Sequence, residues 1–308
     1  MKAVHFHRFG GTDVLEYGEL PEQPLGPDRV RVRVRAAGVN PIDWKAREGL
    51  LAPLMDTLFP VVPGLDLAGE VIEAAPGVTE YAPGDEVMGF LWPDVLGRGT
   101  CAETVTAPVR ALAPKPASLS WAEAAALPLA GIAAYQSLVH RLRVTAGETV
   151  LVHAAAGGVG VFAVQIAVAL GARVIGTASE HNHDFLRSLG AEPVAYRRNL
   201  TGNVRALAPD GVDAVLDAAG RRALRDSPAL LAPGGRLVSV ADPQAVALGG
   251  GYVFARPDRE DLTRLTDLAE KGLLRVELAA VLPLEKAAEA HLLVRDGHTR
   301  GKVVLTVD

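Results

Sequence analysis

The sequence predicts an α/β chain in which a doubly wound parallel sheet is accompanied by a β-rich part assembled from both chain ends. Three observations carry this expectation. Up to about residue 115, short apolar runs sit between Pro/Gly turns such as Ala82-Pro83-Gly84-Asp85. From about Ser118, apolar strand cores alternate with helical stretches, the order that builds a parallel sheet. After Arg256-Pro257-Asp258 come two helices and two strands, too short a tail to bury a core of its own, so it is expected to complete the N-terminal β region.

Each element has its own signal. Val30-Arg31-Val32-Arg33-Val34-Arg35 alternates strictly, as a strand with one buried and one wet face must, and its arginines read as a solvated sheet face. Gly64–Ala74, Asp85–Phe90 and Ala102–Thr106 read as further strands. Ser120-Trp121-Ala122-Glu123 has the spacing of a capping box and opens an Ala-rich helix. The strand cores of the second texture are Thr149–Ala154, Arg173–Thr177, Pro193–Tyr196, Val212–Asp217, Arg236–Ala241 and Tyr252–Ala255. In the tail, helices over Glu260–Lys271 and Leu284–Arg295 alternate with strands over Arg275–Val281 and Lys302–Val307. The expected domains are therefore 1–118 with 257–308, and 119–256.

Composition narrows the function. The 308 residues carry 31 basic and 36 acidic side chains, a net charge of −5 without a dense basic stretch, which argues against a nucleic-acid binder. Apolar residues at 49% and charged ones at 22% argue for a globular chain over a disordered one. A mean hydropathy of +0.20 raises the membrane question, because the run Val150–Ala172 is almost free of charge and long enough to span a bilayer. His153, Gln165 and the packed glycines within it fit a buried strand, tight turn and buried helix better. Met1-Lys2-Ala3-Val4-His5 has no apolar signal core, so a cytoplasmic protein without membrane contact is expected. Cys101 is the only cysteine, which excludes an internal disulfide or a cysteine-rich zinc cluster. His5 and His7 share one strand face, but with no third ligand near them in sequence no metal site is expected.

The most informative segment is Val150-Leu151-Val152-His153-Ala154-Ala155-Ala156-Gly157-Gly158-Val159-Gly160, a strand entering a glycine turn ahead of a helix over Val161–Leu170. Such a turn lets backbone N–H groups approach a pyrophosphate at a helix N-terminus, while its last glycine allows close strand–helix contact. A dinucleotide cofactor follows, held by Ala156, Gly157, Gly158 and Val159. At the tip of the second strand, where an acid would hold the ribose 2′-hydroxyl of NAD, Thr177-Ala178-Ser179 offers a small hydroxyl. NADPH is therefore the expected cofactor, with His181, His183, Arg197 and Arg198 as nearby basic candidates for its 2′-phosphate.

Gly147-Glu148-x-x-Leu151-x-x-x-Ala155-Ala156-Gly157-Gly158-x-Gly160, followed by Gln165, is very similar to the quinone oxidoreductase/ζ-crystallin signature, departing only at Val168. Asn40-Pro41-Ile42-Asp43, Pro63-Gly64-Leu65-Asp66-x-Ala68-Gly69-x-Val71, Pro83-Gly84-Asp85-x-Val87 and Leu231-x-Pro233-Gly234-Gly235 are further landmarks. Over its whole length the chain resembles the medium-chain dehydrogenase/reductase superfamily, in its zinc-independent quinone oxidoreductase branch. The resemblance implies a GroES-like β domain built from both chain ends, a Rossmann domain, and an active site in the cleft between them. It also implies that Tyr196, Ala219, Val240, Ala241 and Phe254 line the cofactor, that Lys302 reaches its side of the cleft, and that Asn40 and Asp43 stand beside the nicotinamide and its ribose.

Zinc relatives take an imidazole from a Gly-His-Glu motif that reads Gly64-Leu65-Asp66 here, and a thiolate near the position of Asn40. Neither ligand is present, so no catalytic metal is expected, and a conjugated acceptor can delocalise the incoming charge without a Lewis acid. Asn40-Pro41-Ile42-Asp43-Trp44-Lys45 resembles the motif of the alkenal/enone reductases, in which the lysine is a candidate donor to the substrate carbonyl. Leu51 and Ala133 stand where relatives carry Tyr and Thr, which leaves a more apolar pocket. The expected activity is NADPH-dependent reduction of quinones or α,β-unsaturated carbonyl compounds by a homodimer. The alternatives are an enoyl reductase acting on a thioester or polyketide intermediate, and a non-catalytic NADPH-binding sensor.

Overall fold

The computed structural model describes residues 1–197 and 199–307. The chain divides into two compact units. The first holds Met1–Leu129, Pro257–Glu270 and the stretch from Val276 on; the second holds Ala130–Arg256 and Lys271–Arg275.

The first unit is built on a seven-stranded sheet. Its path runs Leu278–Pro283, Lys302–Thr306, Arg29–Val39, Asp66–Ala74, Glu86–Phe90 and Leu112–Pro114, with Thr104–Pro108 also paired to Arg29–Val39. The tail does return to the N-terminal sheet: Val303–Thr306 pairs antiparallel with Ala36–Val39. Val30, Val32 and Val34 are buried, while their arginine neighbours meet Glu73 and Glu70 across the strand. A separate antiparallel pair joins Lys2–His5 to Glu16–Glu19. The helix Pro41–Arg47 is tied down by Arg47, whose buried guanidinium donates to the Gly10 carbonyl at 3.1 Å and to His291 Nδ1 at 3.2 Å.

The unit break at Leu129/Ala130 lies beyond the expected 118/119, and packing gives the reason. The helix Trp121–Ala126 opens with the expected Ser120/Glu123 capping box but lies against the first sheet. There Gly38 leaves no room for a Cβ beneath the Ala125 carbonyl, and the Leu129 N–H donates to Asp66 Oδ1 at 2.8 Å.

The second unit is a six-stranded sheet in the order Ala191–Ala195, Arg173–Ala178, Thr149–His153, Val212–Asp217, Leu231–Ser239, Gly251–Tyr252. All of its pairings are parallel. The order reverses beside Thr149–His153, the first strand in sequence, which is the switch point of a doubly wound fold. The run Val150–Ala172 resolves into a strand, a turn and the helix Gly158–Ala169. No helix among the described residues is long and apolar enough to cross a membrane. Gln165 explains why Lys271–Arg275 joins this unit: its amide donates to the Arg275 carbonyl at 3.0 Å and accepts the Arg275 N–H at 2.8 Å.

Candidate active site

The glycine turn has the geometry of a pyrophosphate cradle. Ala154 adopts φ 53°, a left-handed conformation that a Cβ-bearing residue adopts only under local constraint, and the Gly157 N–H closes the turn onto the Ala154 carbonyl at 2.9 Å. Gly157 then caps the helix Gly158–Ala169, whose first N–H groups have no intrahelical acceptor and carry the positive end of its dipole. At Gly160 a Cβ would stand 2.6 Å from Ala155 Cα, so only glycine lets the helix approach the strand this closely. The helix starts at Gly158 and not at Val161, because the last two glycines of the motif belong to its first turn.

A buried polar chain holds the turn. Ser227 Oγ donates to the Ala223 carbonyl at 2.8 Å and so accepts from His153 Nε2 at 3.2 Å. That leaves His153 Nδ1 to accept from Thr177 Oγ1, which in turn accepts the Ala154 N–H, each at 3.2 Å. Burial pushes the His153 pKa down to about 4, against the pull of Asp217, so the imidazole is neutral.

At the tip of the second strand Ser179 Oγ stands 3.5 Å from Tyr196 Oη, and Arg197 Nε donates to that oxygen at 3.3 Å. Hydrogen bonds from Ser179 and then Arg197 lower the Tyr196 pKa. The nearest carboxylate in sequence, Glu180, begins the short turn Glu180–Asn182, which also contains the exposed His181. His183 starts the next helix. Arg198, named with Arg197 as a basic candidate, lies outside the described residues.

The remaining residues expected at the cofactor also follow carboxyl ends of strands in this sheet. Ala219 comes after Val212–Asp217, Val240 and Ala241 after Leu231–Ser239, and the exposed Phe254 after Gly251–Tyr252. Sequence reasoning missed what shapes these loops. Asp217 is fully buried and accepts from Ala219 N–H at 3.0 Å, Gly220 N–H at 2.9 Å and Ser239 Oγ at 2.6 Å. Ser239 Oγ itself accepts the N–H groups of Ala241 and Asp242. An acid at a strand end was the available signal.

The first unit carries a recess of about 380 Å³, counting its opening to solvent, lined by Ile42, Asp43, Leu51, Met55, Leu65 and Trp92 among others. Its wall is apolar apart from Asp43 and Arg98. Asp43 Oδ2 accepts the Asn40 N–H at 2.7 Å, the reciprocal arm of a helix cap. Asn40 is buried and fully engaged: its amide donates to Asp66 Oδ2 at 2.8 Å and its Oδ1 accepts from Lys302 Nζ at 2.5 Å.

Lys302 therefore does not offer its ammonium to an open surface. Only 4% exposed, it donates to the Val39 carbonyl at 3.0 Å and to Asn40, with Asp66 Oδ2 at 4.0 Å, because a buried cation must find partners. Burial lowers the Lys302 pKa and raises those of the carboxylates, Asp66 to about 6 and Asp43 to about 7. Lys45 is half-buried, with Nζ 5.8 Å from the Trp44 ring centroid, and is not among the residues lining the recess.

Residues 26–117 match the family model of an alcohol dehydrogenase GroES-like domain, and residues 189–305 that of a zinc-binding dehydrogenase. The chain is 33% identical to the NADPH-dependent alkenal/one oxidoreductase of Arabidopsis thaliana chloroplasts, over 99% of this chain and 79% of that one. The solved quinone oxidoreductase of Coxiella burnetii aligns with a TM-score of 0.89 at 34% identity, over 100% and 99% of the two chains. This chain belongs to the medium-chain dehydrogenase/reductase superfamily, in its quinone oxidoreductase branch. It is 36% identical over 97% of its length to a segment of the spectinabilin polyketide synthase protein NorB of Streptomyces orinoci, of which that segment is 14%.

As a member of this superfamily the protein is an oxidoreductase that works on a small molecule with a nicotinamide cofactor. The two positions at which zinc relatives keep ligands are occupied otherwise. Leu65 lines the recess and Asn40 is bound to Asp66 and Lys302. Cys101 is buried, with its Sγ 2.8 Å from where a Cβ on Gly64 would stand; burial, then Asp43, push its thiol well up.

Proposed function

We propose that this oxidoreductase is NADPH-dependent and reduces quinones or α,β-unsaturated carbonyl compounds without zinc. The observation that carries the cofactor assignment is the Ser179–Tyr196–Arg197 group at the second strand tip, where a hydroxyl, a phenol and an exposed guanidinium replace the carboxylate that would hold an NAD ribose. Gly157, Gly158 and Val159 would receive the pyrophosphate, with Ala156, His181, Ala219, Val240, Ala241 and Phe254 around the rest of the dinucleotide. When bound, the reduced nicotinamide supplies the hydride.

The apolar recess suits a conjugated acceptor, and its pKa of about 7 lets Asp43 keep a proton near neutrality for the reduced product. Lys45, two residues after Asp43 on the same helix but outside the recess lining, would have to swing toward the acceptor to stabilise the developing enolate or quinol oxygen as a cation. Asn40 positions Asp43, since the Asn40 N–H holds that carboxylate. Leu65 and Asn40 support the metal-free reading, because neither provides an imidazole or thiolate.

Likeness to the NorB segment supports a second reading, reduction of an enoyl thioester; a much higher kcat/KM for an enoyl thioester than for the matching free enone would select it.

Titration should show NADPH binding more tightly than NADH by ~1–3 kcal/mol, the scale of charge-assisted hydrogen bonds to the 2′-phosphate. Ser179→Asp should reverse that order by setting a carboxylate against the phosphate. Equal affinities for the two cofactors in the parent protein would refute the assignment.

A further inference from the structure

The N-terminal strand pair carries a ligand set that the sequence alone does not bring together. His5 and Glu16 are directly opposed partners in the antiparallel pairing of Lys2–His5 with Glu16–Glu19, and His7 follows His5 with its ring 5.3 Å away at 82°. One potential ligand atom from each of His5, His7 and Glu16 lies within 4.8 Å of the others. We propose that these three residues bind a divalent transition-metal ion of the Zn²⁺ type, at a site separate from the recess and the dinucleotide turn.

Three features of the local chemistry support a metal here. His5 is buried to 6% exposure, and its Nδ1 lies 3.4 Å from the Ala3 carbonyl oxygen, an atom that can only accept. Nδ1 therefore carries a proton, and Nε2 is the nitrogen turned toward Glu16 Oε2, 3.9 Å away. That distance is too long for a hydrogen bond and leaves room for a cation between the two atoms. This is also the arrangement in which a backbone carbonyl orients a metal-bound imidazole through its second nitrogen.

Gly18 keeps the space: a Cβ there would press to 3.3 Å on His5 Cε1. Metal–ligand bonds of about 2.0–2.2 Å require the ligand atoms to draw somewhat closer than they stand, and His7 and Glu16 are exposed and free to swing while His5 stays fixed. Two imidazoles with one carboxylate favour Zn²⁺, Ni²⁺ or Cu²⁺ over Mg²⁺ or Ca²⁺, which prefer all-oxygen sites. The segment spanned by the strand pair includes Phe6 and Val14, which pack with Ala46, Leu51 and Leu96 under the recess, so an ion here would brace that wall.

The test is calorimetric titration of the tag-free protein with Zn²⁺, beside His7→Ala and Glu16→Gln. The parent should bind one Zn²⁺ per chain and melt a few degrees higher with it. Each variant should bind at least ~10–100-fold more weakly, since even outer partners of a metal ligand cost that much. Both variants should melt like the parent in chelator, which separates a lost ligand from lost folding. Parent-like affinity in either variant would place the zinc elsewhere, and no uptake by the parent at about 1 mM Zn²⁺, the weak end of measurable binding, would leave His5 and Glu16 as an ion pair alone; either result overturns the proposal.

Discussion

Lys302→Met should lower the stability of the chain by about 3–5 kcal/mol near neutral pH, the range for removing one partner of a buried ion pair. Its ammonium serves the Val39 carbonyl and Asn40 Oδ1 and stands beside Asp66, all in the buried interior. The loss should depend on pH in a defined direction. Asp66 and Asp43 already have folded pKa values raised above those of an unfolded chain, to about 6 and about 7, and without the cation they rise further. A raised carboxyl pKa contributes stability at low pH that is lost as the pH climbs through the folded value. The variant should therefore be closer to the parent in denaturation midpoint at about pH 5.5 than at about pH 8. A small loss, equal at both, would mean that Lys302 is a solvated strand-end residue after all.

The second large effect is expected at Lys45. Lys45→Met should reduce kcat for enone reduction by ~10–1000-fold, the range for losing one positioned oxyanion stabiliser. NADPH affinity should move less, because the pyrophosphate is assigned to the Gly157–Val159 turn. A quinone should suffer less than an enone, since its reduced oxygens are weaker bases. If Lys45 only contacts the ribose, KM for NADPH rises with kcat nearly intact for both acceptors.

Asp43 makes a separable prediction. As the proton source it must be protonated, so parent kcat should fall as the pH rises through about 7, and Asp43→Asn should remove that limb from the profile. A profile unchanged in Asp43→Asn would return the role to Lys45 or water.

Local order was legible in sequence wherever one short window contained the physics. Val30–Arg35 alternates because one sheet face is buried while the other carries arginines paired with glutamates, and Gly160 is required because the chain comes back onto Ala155 within the same turn. The return of Lys302–Thr306 to the first sheet was legible because that tail could not bury itself alone.

What was not legible depends on partners distant in sequence. The burial of Lys302 needs Val39 and Asn40 beside it, the break at Leu129 needs Gly38 under Ala125, and the third ligand beside His5 and His7 needs the register that sets Glu16 opposite. Lys45 shows the same limit from the other side. Its motif suggests a place at the acceptor, and in the structure its Nζ stands 5.8 Å from the Trp44 ring centroid, outside the lining of the recess.

The most direct test of the central claim is steady-state oxidation of NADPH by the His7→Ala protein in excess chelator, with an enone, a quinone and a simple alcohol–NADP⁺ pair offered in parallel. Removing His7 keeps the proposed surface site from contributing zinc to the result. The expected outcome is sustained turnover of the conjugated acceptors, undiminished by chelator, with no comparable oxidation of the alcohol. Activity that disappears in chelator and returns with Zn²⁺, or oxidation of the alcohol in preference to reduction of the enone, would contradict it.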